Sequence, residues 1–248
     1  MIEIQNISKS FEGRQVIHHI SGIFDKGKTN LIIGSSGTGK SVLLKCIVGL
    51  IHPDTGTVFY DGRNFTDANK EMKTEVRREM GMLFQGGALF DSKTVEQNVM
   101  FPLDILTNMP DEEKLDRVNF CLQRVGLENV NDKMPSEISG GMKKRVGIAR
   151  AIVNKPNYLF CDEPNSGLDP QTSILIDELI HEITTEFDIT TLVVTHDMNS
   201  VLGIGENILF MYKGKKLWEG SNKEITDSGV KELDDFVFTN KVMKRLKA

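Results

Sequence analysis

The sequence is poor in the features that mark secreted, zinc-binding and membrane-spanning proteins. Its only cysteines are Cys46, Cys121 and Cys161, and no two of them form a C-x-x-C pair. We therefore expect neither a disulfide framework nor a zinc site, and we expect reduced thiols in the cytosol. The N-terminus lacks the basic segment followed by an apolar segment of a signal peptide. The apolar runs are a few residues long, whereas a spanning helix needs about 18 or more, so any membrane association should come through a partner.

Positive charge is also not in excess. The 248 residues carry 30 Lys and Arg against 35 Asp and Glu, a formal net charge of -5. A chain without a basic field is not expected to bind nucleic acid. A hydrophobic content of 39% is ordinary for a globular domain, and the length suffices for a core with or without a lobe.

What the chain does contain is an alternation of strand and helix patterns. Ile2 and Ile4 alternate with polar residues, which predicts a half-buried strand. Further short strands are predicted over residues 16–19, 20–24 and 30–33. The last of these runs into a glycine-rich loop, and apolar residues then recur at helical spacing as far as Ile51. A phosphate-binding unit has this order of strand, loop and helix.

The middle third has only helical patterns, and strand patterns return near the end. We predict helices over about 112–125, 141–154 and 176–187, strands over 157–161 and 190–194, and a hairpin around Lys213-Gly214-Lys215. A strand–helix chain interrupted by helices predicts an α/β core that carries a smaller helical lobe.

The glycine-rich loop matches the pattern G-x-x-x-x-G-K-[ST]. Its glycines allow backbone N–H groups to converge on phosphate oxygens, and the N-terminus of the following helix adds positive potential. Lys40 is predicted to reach the β- and γ-phosphates, and the Ser41 hydroxyl to ligate Mg²⁺. The matching residues are Gly34, Ser35, Ser36, Gly37, Thr38, Gly39, Lys40 and Ser41.

A second motif lies where an apolar strand ends in two adjacent carboxylates, Asp162 and Glu163. Carboxylates beside a buried strand are costly unless they face a positive charge, and a Mg²⁺ ion would supply one. Asp162 is expected to hold the ion through water. Glu163 is expected to orient or deprotonate the water that attacks the γ-phosphate.

Together with these motifs, four further segments resemble the ATPases of the ABC family. Residues 138–142, Ile-Ser-Gly-Gly-Met, are similar to the family signature, usually L-S-G-G-Q, and residues 166–170, Ser-Gly-Leu-Asp-Pro, to its D-loop. His196 stands in the place of the switch histidine, Gln85 in that of the Q-loop glutamine, and Phe11 where an aromatic ring stacks on adenine. The resemblance covers about residues 1–225. It implies that Glu163, His196 and Gln85 are catalytic, that Ser41, Gln85 and Asp162 serve Mg²⁺, and that Asp169 contributes to the ATP site.

The signature also has a physical interpretation of its own. Ser139, Gly140 and Gly141 open a predicted helix, which makes a second anion-binding helix N-terminus in the same chain. Two chains that face head to tail can place ATP between the phosphate loop of one and the signature of the other. We therefore expect the chain to act as a dimer with a second copy of itself, around two ATP molecules.

Three positions depart from the usual family pattern. Met142 replaces glutamine, Ile138 replaces leucine, and Asn165 stands where threonine is common. The residue types expected to contact phosphate and Mg²⁺ are retained. Met142, the segment over 86–92 and residues 101–103, Phe-Pro-Leu, resemble the ATPases of bacterial lipid-trafficking transporters with mammalian-cell-entry-type partners. That resemblance implies an integral membrane permease and a lipid-binding periplasmic or membrane-anchored partner.

The whole chain is thus expected to be one ABC ATPase domain: a RecA-like P-loop α/β core with an antiparallel β portion at its N-terminus and an inserted helical lobe. The core is expected over 1–86 and 156–225, the lobe over about 87–155, and a helical tail over about 226–248. A groove near Gln85 and residues 88–90 should receive the permease on the cytoplasmic side of the membrane. Three functions stay open: a motor for lipid transport, a motor for another solute such as an amino acid or ion, and a non-transport ABC ATPase.

Overall fold

Two β-sheets organise the chain, which is described over residues 1–238 by a computed structural model. The strands of this part are β1 (Ile2–Phe11), β2 (Arg14–Phe24), β3 (Thr29–Ile33), β4 (Thr55–Tyr60), β5 (Arg63–Asn64), β6 (Met80–Leu83), β7 (Tyr158–Asp162), β8 (Thr190–Thr195), β9 (Asn207–Tyr212) and β10 (Lys215–Gly220). Its α-helices are α1 (Lys40–Ile47), α2 (Lys70–Arg78), α3 (Val95–Leu106), α4 (Asp111–Arg124), α5 (Gly140–Ile152), α6 (Pro170–Glu186), α7 (Met198–Ile204) and α8 (Lys231–Val237).

The smaller sheet has the order β2-β1-β4-β5 and is antiparallel throughout. The two short strands predicted over 16–19 and 20–24 are one strand, β2, so that prediction was wrong. His19, at the point where the prediction divided them, has φ +47°, and the pairing of β2 with β1 continues past it through shifts of register. A bulge of this kind bends a strand without ending it.

The larger sheet has the order β10-β9-β3-β8-β7-β6, and the five strands from β9 to β6 are parallel. Strand β10 pairs antiparallel with β9 as the predicted hairpin. Because parallel strands end at the same edge, the segments that follow β3, β6, β7 and β8 meet there. These segments carry the phosphate loop, Gln85, Glu163 and His196.

The hydrophobic core lies on both faces of the larger sheet. On one face, Leu43 and Leu44 of α1 are buried together with Ile2 and Ile4 of the smaller sheet. On the other face, helices α3 to α6 and α8 bury residues such as Val99 and Ile180. All residues of β3, β7 and β8 are buried, as expected for central parallel strands covered on two sides.

Between β6 and β7 the described chain forms only helices and turns, as predicted. The helices predicted near 112–125 and 141–154 are α4 and α5, each displaced by no more than two residues. Of the predicted tail, α8 buries Leu233 and Val237. The rest of the predicted tail, residues 239–248, lies outside the described residues. Over 1–238, no helix is long and apolar enough to cross a membrane.

Candidate active site

The loop after β3 has the strained backbone that its glycines predict. Gly34 has φ +148°, and a Cβ atom there would lie 2.3 Å from the backbone oxygen of Met211. Gly39 has φ +97° and precedes the first residue of α1, Lys40. No side chain caps this helix end, so its first N–H groups stay available to an anion. The loop therefore has the form of a phosphate cradle.

Lys40 lies within this loop, with only 6% of its surface exposed. Its ammonium group donates to the backbone oxygens of Gly34, at 2.7 Å, and Ser35, at 3.1 Å. Burial lowers the pKa of Lys40, while the nearby carboxylates of Glu163 and Asp162 act in the opposite direction. The loop thus holds a cation at its centre, beside two acids.

Ser41 and Asp162 form an oxygen pair next to this lysine. The Ser41 hydroxyl donates to the Asp162 carboxylate at 3.0 Å, although the two residues belong to different elements, α1 and the end of β7. Mg²⁺ prefers oxygen ligands, and it commonly takes one or two from protein and the rest from phosphate and water. The pair fits such an ion, which would neutralise charge on the phosphates when bound.

Glu163 and His196 contact each other directly at the ends of β7 and β8. Nδ1 of His196 lies 2.9 Å and 2.8 Å from the two carboxylate oxygens of Glu163. Glu163 has φ +49°, a conformation unusual for a residue other than glycine, and its N–H donates to the Val194 oxygen at 2.9 Å. The Glu163 side chain thus lies at the end of β7, beside His196, and both residues line one cleft.

These groups border a cleft of about 900 Å³. Ser35 and Ser36 form one wall, and Glu163 and His196 form another. The D-loop residues Ser166 and Gly167 contribute to the same cleft. The structure therefore brings together the phosphate loop, the acid pair and the histidine, as we expected from three separate stretches of sequence.

The signature residues face a different cavity. Ser139 caps α5 by accepting from the Met142 N–H at 3.2 Å, and Gly140 and Gly141 form the first turn. Together with Asp169 they line a second cavity, of about 550 Å³. Asp169 caps α6, and two hydrogen bonds from Thr172 hold its pKa below the ordinary range. Within one chain the signature and the phosphate loop thus line separate cavities, and the D-loop lies between them.

Two further predicted site residues, Phe11 and Gln85, line neither of these cavities. Phe11, at the end of β1, is 42% exposed, and the Lys9 ammonium lies 5.6 Å from the centroid of its ring. An exposed ring at a strand end is free to stack on a planar base. Gln85 is exposed just beyond the end of β6.

A groove next to Gln85 is lined by apolar side chains. It has a volume of about 260 Å³, and its lining includes Phe84, Ala88, Phe90, Phe101 and Pro102. The rings of Phe90 and Phe101 are in contact, with centroids 4.7 Å apart. Leu89 departs from our expectation, because it packs against the hydrophobic core instead of lining the groove. Ala88 has φ +45°, and this backbone turn separates the neighbouring side chains.

Two basic residues of α5 have roles that the sequence did not show. Lys144 is 3% exposed, and its ammonium donates to the Glu163 backbone oxygen at 3.5 Å. Arg150 donates to the backbone oxygens of Gly87 and Ala88 at 2.7 Å and 2.8 Å. Helical spacing alone indicates that position 144 shares a face with the buried residues Ile148 and Ala151, but not what it touches.

Comparison with known proteins agrees with this geometry. The family model described as "ABC transporter" matches residues 17–166, more than half of the chain. This chain belongs to the ABC transporter family. Its fold is therefore the α/β fold of the ABC ATPase domain, which binds ATP, typically with Mg²⁺.

Two curated relatives show how close the similarity to other ABC proteins is. The probable ribonucleotide transport ATP-binding protein mkl of Mycobacterium leprae is 39% identical over 86% of this chain and 61% of its own length. The methionine import ATP-binding protein MetN 1 of Bacillus thuringiensis subsp. konkukian is 38% identical over 96% of this chain and 71% of its own length. The chain thus spans less than two thirds of the mycobacterial relative.

A solved ABC cassette, MJ0796, has the same architecture. Its dimeric structure superposes with a TM-score of 0.81 and 32% identity, over 90% of this chain and 99% of that one. The same cassette has also been solved as a dimer in a post-hydrolysis state with ADP and Pi. The similarity extends well beyond the span of the family model.

Proposed function

We propose that this ABC protein is the ATP-hydrolysing subunit of a membrane transporter and works as a dimer with two ATP molecules between its subunits. The observation that carries the proposal is the separation of the phosphate loop and the signature into two cavities of one chain. Both have the form of an anion-binding helix N-terminus. A second copy placed head to tail brings one to each side of the same nucleotide, and the dimeric relative supports this arrangement.

In this proposal, residues 34–41 bind the phosphates, with Lys40 paired to the β- and γ-phosphates. Ser41 and Asp162 hold Mg²⁺, and Gln85 approaches the same ion when the subunits close. Phe11 stacks on the adenine, and Ser139, Gly140, Gly141 and Asp169 complete the site of the partner copy. Glu163 orients or deprotonates the attacking water, and His196, which contacts Glu163, also contacts the γ-phosphate.

The apolar groove beside Gln85 is the proposed docking site for an integral membrane permease. Phe84 and Phe90 are each 40% exposed there, and the groove lies between the end of β6 and helix α3.

We propose that residues 87–155 form a lobe that moves relative to the core at 1–86 and 156–225. The groove lies at the junction of these two parts, so closure of the dimer would displace a bound permease segment. The chain would then lie on the cytoplasmic face of the membrane.

For the cargo we propose a lipid, handled together with a lipid-binding partner. Met142 and the segments over 86–92 and 101–103 carry the resemblance to lipid-trafficking ATPases, and both segments contribute to the permease groove through Phe90, Phe101 and Pro102. The names of the relatives favour a second candidate, uptake of a solute such as methionine. The groove selects a permease, and the permease selects the cargo.

Dimerisation tests the central proposal. In the full chain, Glu163→Gln should keep ATP bound while turnover falls by roughly 10²–10⁴-fold, the usual contribution of a positioned general base. Light scattering should then show a dimer with ATP and Mg²⁺ and a monomer without them. Adding Ser139→Arg should abolish this dimer, because the new side chain blocks the approach of the phosphate.

A matched control is Ser136→Arg, an exposed serine three residues earlier that does not line the signature cavity. It should leave the ATP-dependent dimer intact. A Glu163→Gln protein with Ser139→Arg that still dimerises with ATP, or a Ser139→Arg single variant that hydrolyses ATP normally, would show that the shared site is wrong.

The cargo requires the assembled transporter. The permease and its partners, co-purified with this chain and reconstituted in vesicles, should transfer labelled phospholipid in an ATP-dependent manner. Uptake of labelled methionine without lipid transfer would replace the lipid proposal by the second candidate and leave the ATPase proposal intact.

A further inference from the structure

A buried ring of three polar side chains joins three segments of the site. Asn165 follows Glu163 by two residues, Asp177 lies in α6, and Ser200 lies in α7. Their exposed fractions are 8%, 4% and 0%. Buried polar groups are costly unless they are hydrogen-bonded, so a closed ring of them needs a reason other than core packing.

Each side of the ring is a hydrogen bond. Nδ2 of Asn165 donates to the Asp177 carboxylate at 2.9 Å and to the Ser200 hydroxyl at 3.0 Å. The Ser200 hydroxyl donates to the other carboxylate oxygen of Asp177 at 2.8 Å. Asp177 therefore accepts one hydrogen bond from the segment that follows Glu163 and another from the segment that follows His196.

The position of the ring connects it with hydrolysis. Asn165 lies between Glu163 and the D-loop, and Ser200, in the first turn of α7, lies four residues after His196. Asp177 belongs to the helix that the D-loop residue Asp169 caps. Glu163 and His196 lie 2.8 Å apart at the surface of the cleft. The buried hydrogen bond from Asn165 to Ser200 joins the same two segments a second time.

We propose that Asn165, Asp177 and Ser200 are positioning residues that hold Glu163 and His196 in the geometry required for hydrolysis and link this geometry to the D-loop. The inference rests on the proposed roles of Glu163 and His196. It also gives a physical account of Asn165, one of the departures from the usual family pattern, because an asparagine side chain can donate to both Asp177 and Ser200.

Steady-state ATP hydrolysis by the full chain tests the proposal. Ser200→Ala removes one oxygen from the ring, and Asp177→Ala removes the shared acceptor. For each variant we expect kcat to fall about tenfold and KM for ATP to change less than twofold, because misplacement of a reacting group lowers turnover without removing binding contacts. The double variant should lose no more than Asp177→Ala alone, since both changes break one network.

Asp177→Asn is the conservative variant. Its amide can accept from Asn165 and donate to Ser200, whose hydroxyl can turn to accept. It should therefore retain kcat within about twofold of the parent value. A ring that acts through its hydrogen bonds predicts this rescue, whereas a role for the charge of Asp177 does not.

Thr184→Val is the control for general loss of a buried hydroxyl. Thr184 is fully buried in the same helix, α6, and its hydroxyl lies 2.6 Å from that of Thr191, away from the ring. It should keep the parent kcat. Equal losses of kcat in Thr184→Val and Ser200→Ala would overturn the proposal, as would parent-like kcat in Ser200→Ala and Asp177→Ala or failure of the asparagine rescue.

Glu163→Gln, measured alongside, separates the two levels of inference. If it hydrolyses ATP like the parent protein, the proposed function of Glu163 is wrong and the ring has no catalytic pair to position. If it is inactive while the ring variants are fully active, the ring proposal alone fails.

Discussion

Asp177→Asn should also change how the stability of the protein depends on pH. Burial raises the pKa of Asp177 from its ordinary value of 3.8 to about 6, against the opposing effect of its bonds with Ser200 and Asn165. The nearby acids Asp197 and Glu178 contribute to the same upward shift. Cys161 also lies close, but its thiol stays neutral because burial raises its pKa to about 12. The asparagine variant is neutral at every pH and retains a similar shape.

The sign follows from proton linkage. Since the pKa of the carboxyl is higher in the folded protein, the folded state binds more protons than the unfolded state between pH 4 and 6, and stability falls as pH rises through this range. The shift of about two pKa units corresponds to roughly 3 kcal/mol in total. Between pH 4.5 and 8, the free energy of unfolding of the variant should therefore rise by roughly 2 kcal/mol relative to that of the parent protein.

Urea unfolding of both proteins at several pH values, without nucleotide, measures this difference. Groups remote from Asp177 have the same surroundings in the two proteins, so their contributions cancel in the difference. The difference should increase up to about pH 6 and then stay level, whereas Thr184→Val should differ from the parent protein by the same amount at every pH. A difference between Asp177→Asn and parent that is flat across the range would show that Asp177 does not titrate as its surroundings imply.

Three further changes probe the nucleotide site and the groove. Lys40→Ala removes the cation at the centre of the phosphate loop. Titration calorimetry should show ATP affinity reduced by about 10²-fold or more, equivalent to roughly 3 kcal/mol. Undiminished affinity would contradict the pairing of Lys40 with phosphate. Phe11→Ala should weaken ATP binding about tenfold, in line with the loss of one stacking contact. The affinity for tripolyphosphate, which has no base, should stay unchanged. An equal loss of affinity for both ligands would argue against adenine stacking. Phe90→Asp should prevent co-purification with the permease while the isolated subunit hydrolyses ATP normally, because a charge buried in that interface costs several kcal/mol. Phe120→Asp, at an exposed ring on α4 outside the groove, should leave assembly intact, and a Phe90→Asp protein that still assembles would refute the docking site.

The order of the elements was predictable because it depends on local patterns. The apolar run at 30–33, the glycine loop and the helical spacing after it identify the phosphate-binding unit without any tertiary information. The acids at 162 and 163 were identified in the same way. The acids and the phosphate loop then meet at one sheet edge, because β3, β7 and β8 pair in parallel.

The interior polar contacts were not predictable, because they join residues that are distant in sequence. Asn165 and Ser200 are separated by the whole of α6 and β8, and nothing in the local sequence of Ser200 distinguishes it from a solvated serine. The surroundings of Lys144 and Leu89 were not predictable for a related reason. Composition indicates that a residue is basic or apolar, but only the packing of α5 against β6 and of the loop after β6 decides which way its side chain points.

Helix α5 has a mechanical consequence for coupling. At one end is Ser139, which is proposed to contact the nucleotide of the partner copy. Near the other end, Arg150 donates to the backbone oxygens of Gly87 and Ala88 beside the groove. At 1.5 Å per residue these positions lie about 16 Å apart on one continuous rod. A tilt of about 10° around the signature end would move the groove end by about 3 Å. The helix can thus act as a lever that turns a small closing motion at the nucleotide into a displacement of the proposed permease site.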